Sequence, residues 1–208
     1  NLRTVKSMHD IQLITRAVEI ADEAFDRVAP TVEPGMTELD VAWNLEKTMR
    51  ECGAESISFD IIVGSGANGA LPHHSPSNKV IVEGESVVID MGARYQGFCS
   101  DLTRTIFIGQ PDDTFERVYT TVLHAQLEAE KRARVGMTGG EVDAIARNII
   151  SEAGYGKDFG HSLGHGVGLA VHESPVVGAK SVERIEEGMV FTIEPGIYLT
   201  GWGGVRIE

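Results

Sequence analysis

The sequence predicts an α+β fold of two similar halves, in which strands pool into one curved, mainly antiparallel sheet and helices cover its outer face. Three observations lead there. A pair of helical stretches recurs after 101 residues, an apolar strand ending in an acid recurs after 104, and glycine-bounded β-like runs lie between them. A two-fold arrangement of such halves brings the corresponding acids together at the centre.

The elements follow in order. Ile11, Ile14, Val18, Ala21, Phe25 and Val28 recur at helical spacing and predict a helix from Met8 to about Val28. Gly35-Met36-Thr37 breaks it. Thr37 with Asp40 three residues on is a capping box that opens a second helix, which stops near Gly53. β-like runs follow at 58–63, 80–81, 86–91 and 101–108. A third helix is expected over about 113–134. Gly136-Met137-Thr138 with Glu141 then starts a fourth, ending at Gly154. Sliding the chain by 101 residues superposes Gly35, Met36, Thr37, Val41, Glu51 and Gly53 on Gly136, Met137, Thr138, Val142, Glu152 and Gly154. Gly84, Asp90 and Gly92 share their spacing with Gly188, Glu194 and Gly196. The repeat therefore divides the chain at about 9–110 and 111–208.

With 208 residues, 42% hydrophobic and 24% charged, the chain has the composition of a soluble globular protein with room for one substantial core. No apolar run approaches the ~18 residues of a membrane helix and no signal-peptide pattern opens the chain, so a cytoplasmic protein with no membrane partner is expected. The net charge of −13 argues against a nucleic-acid partner, which needs a basic face. Cys52 and Cys99 are too few for a disulfide framework or a thiolate zinc site. Any metal must be held by oxygen and imidazole.

Asp90 follows Val87-Val88-Ile89, where a carboxylate must be paired or bind a metal. Asp101 lies across a turn at Tyr95-Gln96-Gly97. In a hairpin with a two-residue loop, paired positions sum to an odd number, as these two do. Both acids then share a face, directly opposite or one diagonal apart. Glu194 ends the apolar run 189–193, and Glu208 ends Val205-Arg206-Ile207. That pair sums to an even number, so sharing a face requires an odd loop or a bulge, which Gly201-Trp202-Gly203-Gly204 can supply. Val205 and Ile207 take one face of the last strand, Arg206 and Glu208 the other. Arg206 there orients an acid, grips a substrate carboxylate or forms a plain ion pair.

Interspersed glycines place His161 and His165 on an extended segment, sharing a face, while His172 needs a bulge or bend to join them. His73-His74 adds a further candidate. Gly64 to Gly69 fits G-x-G-x-x-G but no helix follows, so it reads as a loop rather than a phosphate cradle. His172-Glu173 is not the HExxH zinc motif, because Val176 replaces the second histidine.

Ile89-Asp90-Met91-Gly92, Ser100-Asp101-Leu102-Thr103-Arg104-Thr105, His161 through His172-Glu173, Glu194-Pro195-Gly196-Ile197-Tyr198 and Gly204-Val205-Arg206-Ile207-Glu208 together resemble the pita-bread metallopeptidase family over essentially the whole chain. With Gly69-Ala70-Leu71-Pro72-His73-His74, they look more like its Xaa-Pro aminopeptidase and prolidase branch than its methionine aminopeptidases. The resemblance implies two divalent ions, manganese first, with cobalt, zinc or iron as alternatives. Their ligands would be Asp90, Asp101, His165, Glu194 and Glu208, with Asp101 and Glu208 bridging. It implies that Glu194 helps activate water and shuttle its proton, that His161 and His172 contact substrate and stabilise the tetrahedral intermediate, that His73 is a substrate-side histidine and that Arg206 is a site arginine.

The activity implied is exopeptidase cleavage of an N-terminal Xaa-Pro bond in peptides with a free amino terminus. Methionine aminopeptidase, creatine-type hydrolase and non-catalytic peptide- or protein-binding module are the alternatives. Members of the branch usually carry an N-terminal domain. This chain begins at the first catalytic helix and stops at Glu208, so residues 1–208 read as one catalytic domain without that extra domain. A homodimer is compatible with the reading.

Overall fold

Helix starts are set by side chains that satisfy exposed amides. The computed structural model describes residues 3–208. In it Ser7 and Asp10 form a reciprocal capping box for α1 (Met8–Val28), as do Thr37 and Asp40 for α2 (Glu38–Glu51) and Thr138 and Glu141 for α4 (Gly139–Glu152). Helix α3 (Asp113–Arg132) is capped by Asp112. All four helices lie where the periodicity places them. The local geometry around α2 and α4 matches in detail. Gly35 N donates to Ile81 O at 3.0 Å and Gly136 N to Ile185 O at 2.8 Å, while Ile81 N donates to Met36 O and Ile185 N to Met137 O, both at 2.8 Å.

The strands are β1 (Ser56–Ile57), β2 (Ile62–Ser65), β3 (Ser86–Met91), β4 (Ala93–Tyr95), β5 (Phe98–Cys99), β6 (Leu102–Phe107), β7 (Gly164–Gly166), β8 (Glu173–Val177), β9 (Gly196–Leu199) and β10 (Gly203–Arg206). Every strand pairing is antiparallel, as expected. The expected single sheet is instead four separate ladders among the described residues: β1-β4-β5, β2-β3-β6, β7-β8 and β9-β10. Isolated bonds join them, such as Glu208 N to Thr103 O at 3.1 Å.

Three runs differ from expectation in detail. Of residues 58–63 only Ile62 and Val63 lie in a strand, β2, while Ser58 just follows β1 and its amide bonds Gly92 O. Val80 makes only a bridge to Thr37. Residues 189–193 run beside β7 but form no strand. Thr192 N donates to His165 O and Glu194 N to Leu163 O, yet the return bond from His165 N goes to the Thr192 hydroxyl at 3.1 Å. A side chain has replaced a carbonyl in the ladder.

Two hydrophobic clusters form, one in each half. Ile20, Leu45 and Met49 of α1 and α2 pack with Val63, Val87, Ile89 and Met91. Val118, Val122, Ile145 and Ile150 of α3 and α4 pack with Leu163, Val177, Ile197 and Val205. Each fully buried side chain of this size contributes ~1.5–3 kcal/mol of transfer free energy. With the helices packed against one side of the strands, Asp90 of β3, Asp101 just ahead of β6 and Arg206 of β10 are left to line a cleft.

Candidate metal centre

Register delivers the acids. In β3 and β6, Asp90 pairs with Thr103 and Met91 with Leu102, and the ladder resumes as Arg94 with Cys99 and Tyr95 with Phe98. Gln96 and Gly97 make the two-residue loop, with φ of 47° and 83°, the left-handed pair that suits right-twisted strands. Asp101 is therefore one diagonal from Asp90, on the same face. In the second hairpin Leu199 pairs with Gly203 and Gly196 with Arg206. Thr200-Gly201-Trp202 makes an odd loop, one of the two solutions that parity allowed, and extending the register sets Glu194 opposite Glu208. Asp90, Asp101 and Glu208 each offer an oxygen within 4.8 Å of the others.

His165 comes from β7, where its glycine neighbours are sterically required: a Cβ on Gly164 or Gly166 would lie 2.0 and 2.1 Å from the carbonyl oxygens of Thr192 and Ser174. Its Nδ1–H donates to Gly166 O at 3.1 Å, which leaves Nε2 facing Glu194 Oε1 at 3.2 Å and Asp101 Oδ2 at 3.5 Å. The ladder is bulged between His165 and Gly166, and His172 stands edge-on to His165 with ring centroids 4.2 Å apart. That is the bulge His172 needed. All five acids and imidazoles singled out as ligands thus meet at one place.

The electrostatics are those of a site short of positive charge. Burial, then Glu208, Asp90 and Glu194, push the Asp101 carboxyl well up. Burial, then Glu194 and Asp90, do the same to Glu208. Burial also raises Asp90 against the opposing pull of Arg206. Glu194 is the exception: burial pushes its value up, but the bond and charge of His165 outweigh that and hold it below the usual carboxylate range. Asp90 Oδ1 and Glu208 Oε1 are buried with no hydrogen-bond partner among the described residues. Orphaned, buried carboxylate oxygens aimed into a group of acids fit divalent cations, which neutralise the crowd and complete those oxygens.

Arg206, only 3% exposed, is committed to the protein. Its Nη2 donates to Asp90 Oδ2 at 2.5 Å, Nη1 to Tyr198 Oη at 2.9 Å and Pro72 O at 3.3 Å, and Nε to Thr103 Oγ1 at 3.1 Å. Its guanidinium thus forms a buried ion pair with Asp90, with every nitrogen engaged within the protein. Tyr198, whose hydroxyl burial pushes up to about 12, donates to His161 Nε2 at 2.8 Å, while His161 Nδ1–H donates to Ser162 O at 2.7 Å. Burial also lowers the His161 value, so the ring is neutral and both nitrogens are engaged within the protein. His161, His172 and His73 line a cleft of about 390 Å³ whose other walls include Phe59, Ile62, Pro72, Val171 and Val176.

Four participants were not singled out from the sequence. Thr103 donates to Glu208 Oε2 at 3.1 Å, Thr192 to Glu194 Oε1 at 2.9 Å, and Tyr198 links Arg206 to His161. Their signal was alternation, since Thr103 shares a face with Asp101 and Tyr198 with Glu194. The fourth is Asp143, fully buried on α4, which accepts from Leu163 N and from Arg147. Arg147 in turn donates to the carbonyls of Phe159 and His161. Nothing in the local pattern marked it.

An α+β domain whose cleft gathers four acids and an imidazole in this way holds a candidate site for divalent cations. The profile of metallopeptidase family M24 matches residues 12–208, and the chain belongs to that family. It is 49% identical over 208 residues to an Xaa-Pro dipeptidase of Pyrococcus horikoshii, covering 100% of this chain and 59% of the relative. An Xaa-Pro dipeptidase structure from Bacillus anthracis superposes with a TM-score of 0.98 at 48% identity, over 99% of this chain and 58% of that one. The X-Pro aminopeptidase structure from Thermotoga maritima gives 0.96 at 48% identity, over the same shares. The chain therefore spans about three-fifths of the length of these relatives.

Proposed function

We propose that this chain is the catalytic domain of a two-metal exopeptidase that hydrolyses the N-terminal Xaa-Pro bond of peptides or dipeptides. The observation that carries the reading is the convergence of Asp90, Asp101, His165, Glu194 and Glu208, from both halves, around buried carboxylate oxygens that lack partners. Asp90, Asp101, His165, Glu194 and Glu208 would hold the divalent ions; a set of hard oxygens and one imidazole suits manganese, cobalt, zinc or iron. Bound ions would acidify a water and polarise the scissile carbonyl.

The chain's own groups do the rest. Glu194, held ionised beside His165, is placed to take the water proton and return it to the proline nitrogen that leaves. Arg206 fixes Asp90 in the orientation a ligand needs. His172 and His73 face the substrate side of the cleft. His161 reaches substrate by exchanging its bond with Tyr198. Phe59, Ile62, Pro72, Val171 and Val176 offer an apolar wall against which a pyrrolidine ring packs. The names of the relatives favour Xaa-Pro over methionine specificity, and retention of all five acids and imidazoles weighs against a non-catalytic binding module.

The test is a panel of Xaa-Pro dipeptides, longer Xaa-Pro peptides and Met-Ala peptides, each with added manganese, cobalt or zinc. Asp101→Ala is expected to lose metal binding and Xaa-Pro cleavage together. Full activity in that purified variant defeats the assignment.

A further inference from the structure

A buried carboxylate with six hydrogen-bond donors lies outside the cleft. Glu38, the first residue of α2, is 0% exposed, and its carboxylate accepts six hydrogen bonds. Oε1 accepts from Ser65 N, Ser65 Oγ and Asn68 Nδ2, each at 2.9 Å. Oε2 accepts from Ser77 N at 3.1 Å, from Ser77 Oγ at 2.8 Å and from His74 Nε2 at 2.9 Å. Burial alone would push such a carboxyl up, but these donors outweigh it and hold it at about 2. It therefore accepts as an anion, at a helix N-terminus that favours one.

The donors are not scattered. They bracket one excursion of the chain, which leaves β2 at Ser65 and returns at Ser77, with Asn68 and His74 inside it. Lys79 reinforces the closure by bonding Ser65 Oγ at 2.9 Å and Glu85 Oε2 at 2.8 Å. The excursion carries Pro72 and His73 into the wall of the cleft, and Pro72 O accepts from Arg206, the partner of Asp90. Adjacent histidines thus have opposite duties: His74 anchors the segment from behind while His73 faces the cleft.

We infer that Glu38 is a positioning residue, which through His74 and the two serines holds the 65–77 segment so that His73 and Pro72 stay at the substrate wall. The inference rests on the peptidase reading for the task of His73, but the tether itself can be read without substrate.

The experiment is a double-mutant cycle between Glu38→Gln and His73→Ala, measured with an Xaa-Pro dipeptide. Glutamine keeps the volume and removes the charge and one acceptor oxygen. Displacement of a substrate-facing group by about an ångström is expected to lower kcat/KM by roughly 10- to 100-fold, with metal stoichiometry unchanged. In Glu38→Gln/His73→Ala the combined loss should be smaller than the product of the two single losses. Amide hydrogen exchange should rise over 66–76 and stay unchanged in α3 and α4. Losses that multiply in the double variant, or unaltered exchange over 66–76, overturn the inference. If Glu38→Gln does not fold, the same cycle is run with His74→Ala, which removes one of the six bonds and should give the same non-additivity at smaller amplitude. Absence of Xaa-Pro cleavage by the unsubstituted protein sinks the peptidase reading instead, and the exchange data then still decide the tether.

Discussion

In the first half, Asp90 and Asp101 hang on a ladder that runs from Ser86–Phe107 to Met91–Leu102 and resumes in β4 and β5. In the second, Glu194 and Glu208 extend a ladder of only four pairs, and the run that leads to Glu194 is tied to β7 largely from one side. The acids arrive on one face in both cases. A two-residue loop sets the first pair on the diagonal, and a three-residue loop sets the second directly opposite. Like charges directly opposite repel most, and in the second pair His165 offsets part of that repulsion by bonding Glu194. The anchors differ as well. The segment with His73 is held by one anion among neutral and imidazole donors, whereas the segment with His161 and His165 is held by the Asp143–Arg147 ion pair, with the Arg147 guanidinium 4.2 Å over the ring of Phe159.

The contrast can be broken at the second hairpin first. Inserting one alanine between Gly204 and Val205 shifts the rest of β10 by one place in its ladder with β9, which turns Arg206 and Glu208 toward the core and Val205 and Ile207 toward the cleft. Expected is loss of metal binding and a destabilisation above about 4 kcal/mol by denaturant titration. Inserting two glycines beside Gly201 preserves parity and should leave metal affinity within about tenfold, since longer surface loops cost little. Equal damage from both changes would refute the parity argument.

The anchors come next. Arg147→Met strands the buried Asp143 and should cost about 3 kcal/mol, with faster amide exchange over 159–163. Glu38 makes a signed prediction. Its folded value of about 2 lies below the ordinary 4.5, so its stabilisation is complete above the ordinary value and is lost as the pH falls from about 4.5 toward 2. The stability gap between the unsubstituted protein and Glu38→Gln, a few kcal/mol at neutral pH, should close over that window. A gap that is flat from pH 7 to 2 contradicts the assignment of the charge.

Smaller effects test the hydroxyls. Thr103→Val removes the donor to Glu208 and Thr192→Val the donor to Glu194, and each should weaken metal affinity by about 10- to 100-fold in a calorimetric titration. An unchanged affinity in both would mean that the hydroxyls do not orient the acids. The smallest change is expected at the first loop, where among the described residues Gln96 alone of the non-glycines has positive φ. Gln96→Asn should raise thermal stability by less than about 1 kcal/mol and leave activity untouched.

The capping boxes of α2 and α4, the helix ends at Gly53 and Gly154, and the shared face of Asp90 and Asp101 were all legible in the sequence. Each depends on residues close along the chain, and a period of two or 3.6 converts spacing into direction. Even the odd loop before Glu208 was one of the two solutions that parity allowed. What spacing does not encode is which ladders hydrogen-bond to one another, so one sheet was expected where four ladders form. The hydroxyl of Thr192 replacing a backbone acceptor, the capture of both His161 nitrogens and the commitment of Arg206 to Asp90 and Tyr198 were likewise decided in three dimensions. So was Glu38, whose partners lie 27 to 39 residues away. A buried anion is stable only where folding has already assembled its donors, and that assembly is a property of the packed chain rather than of any window within it.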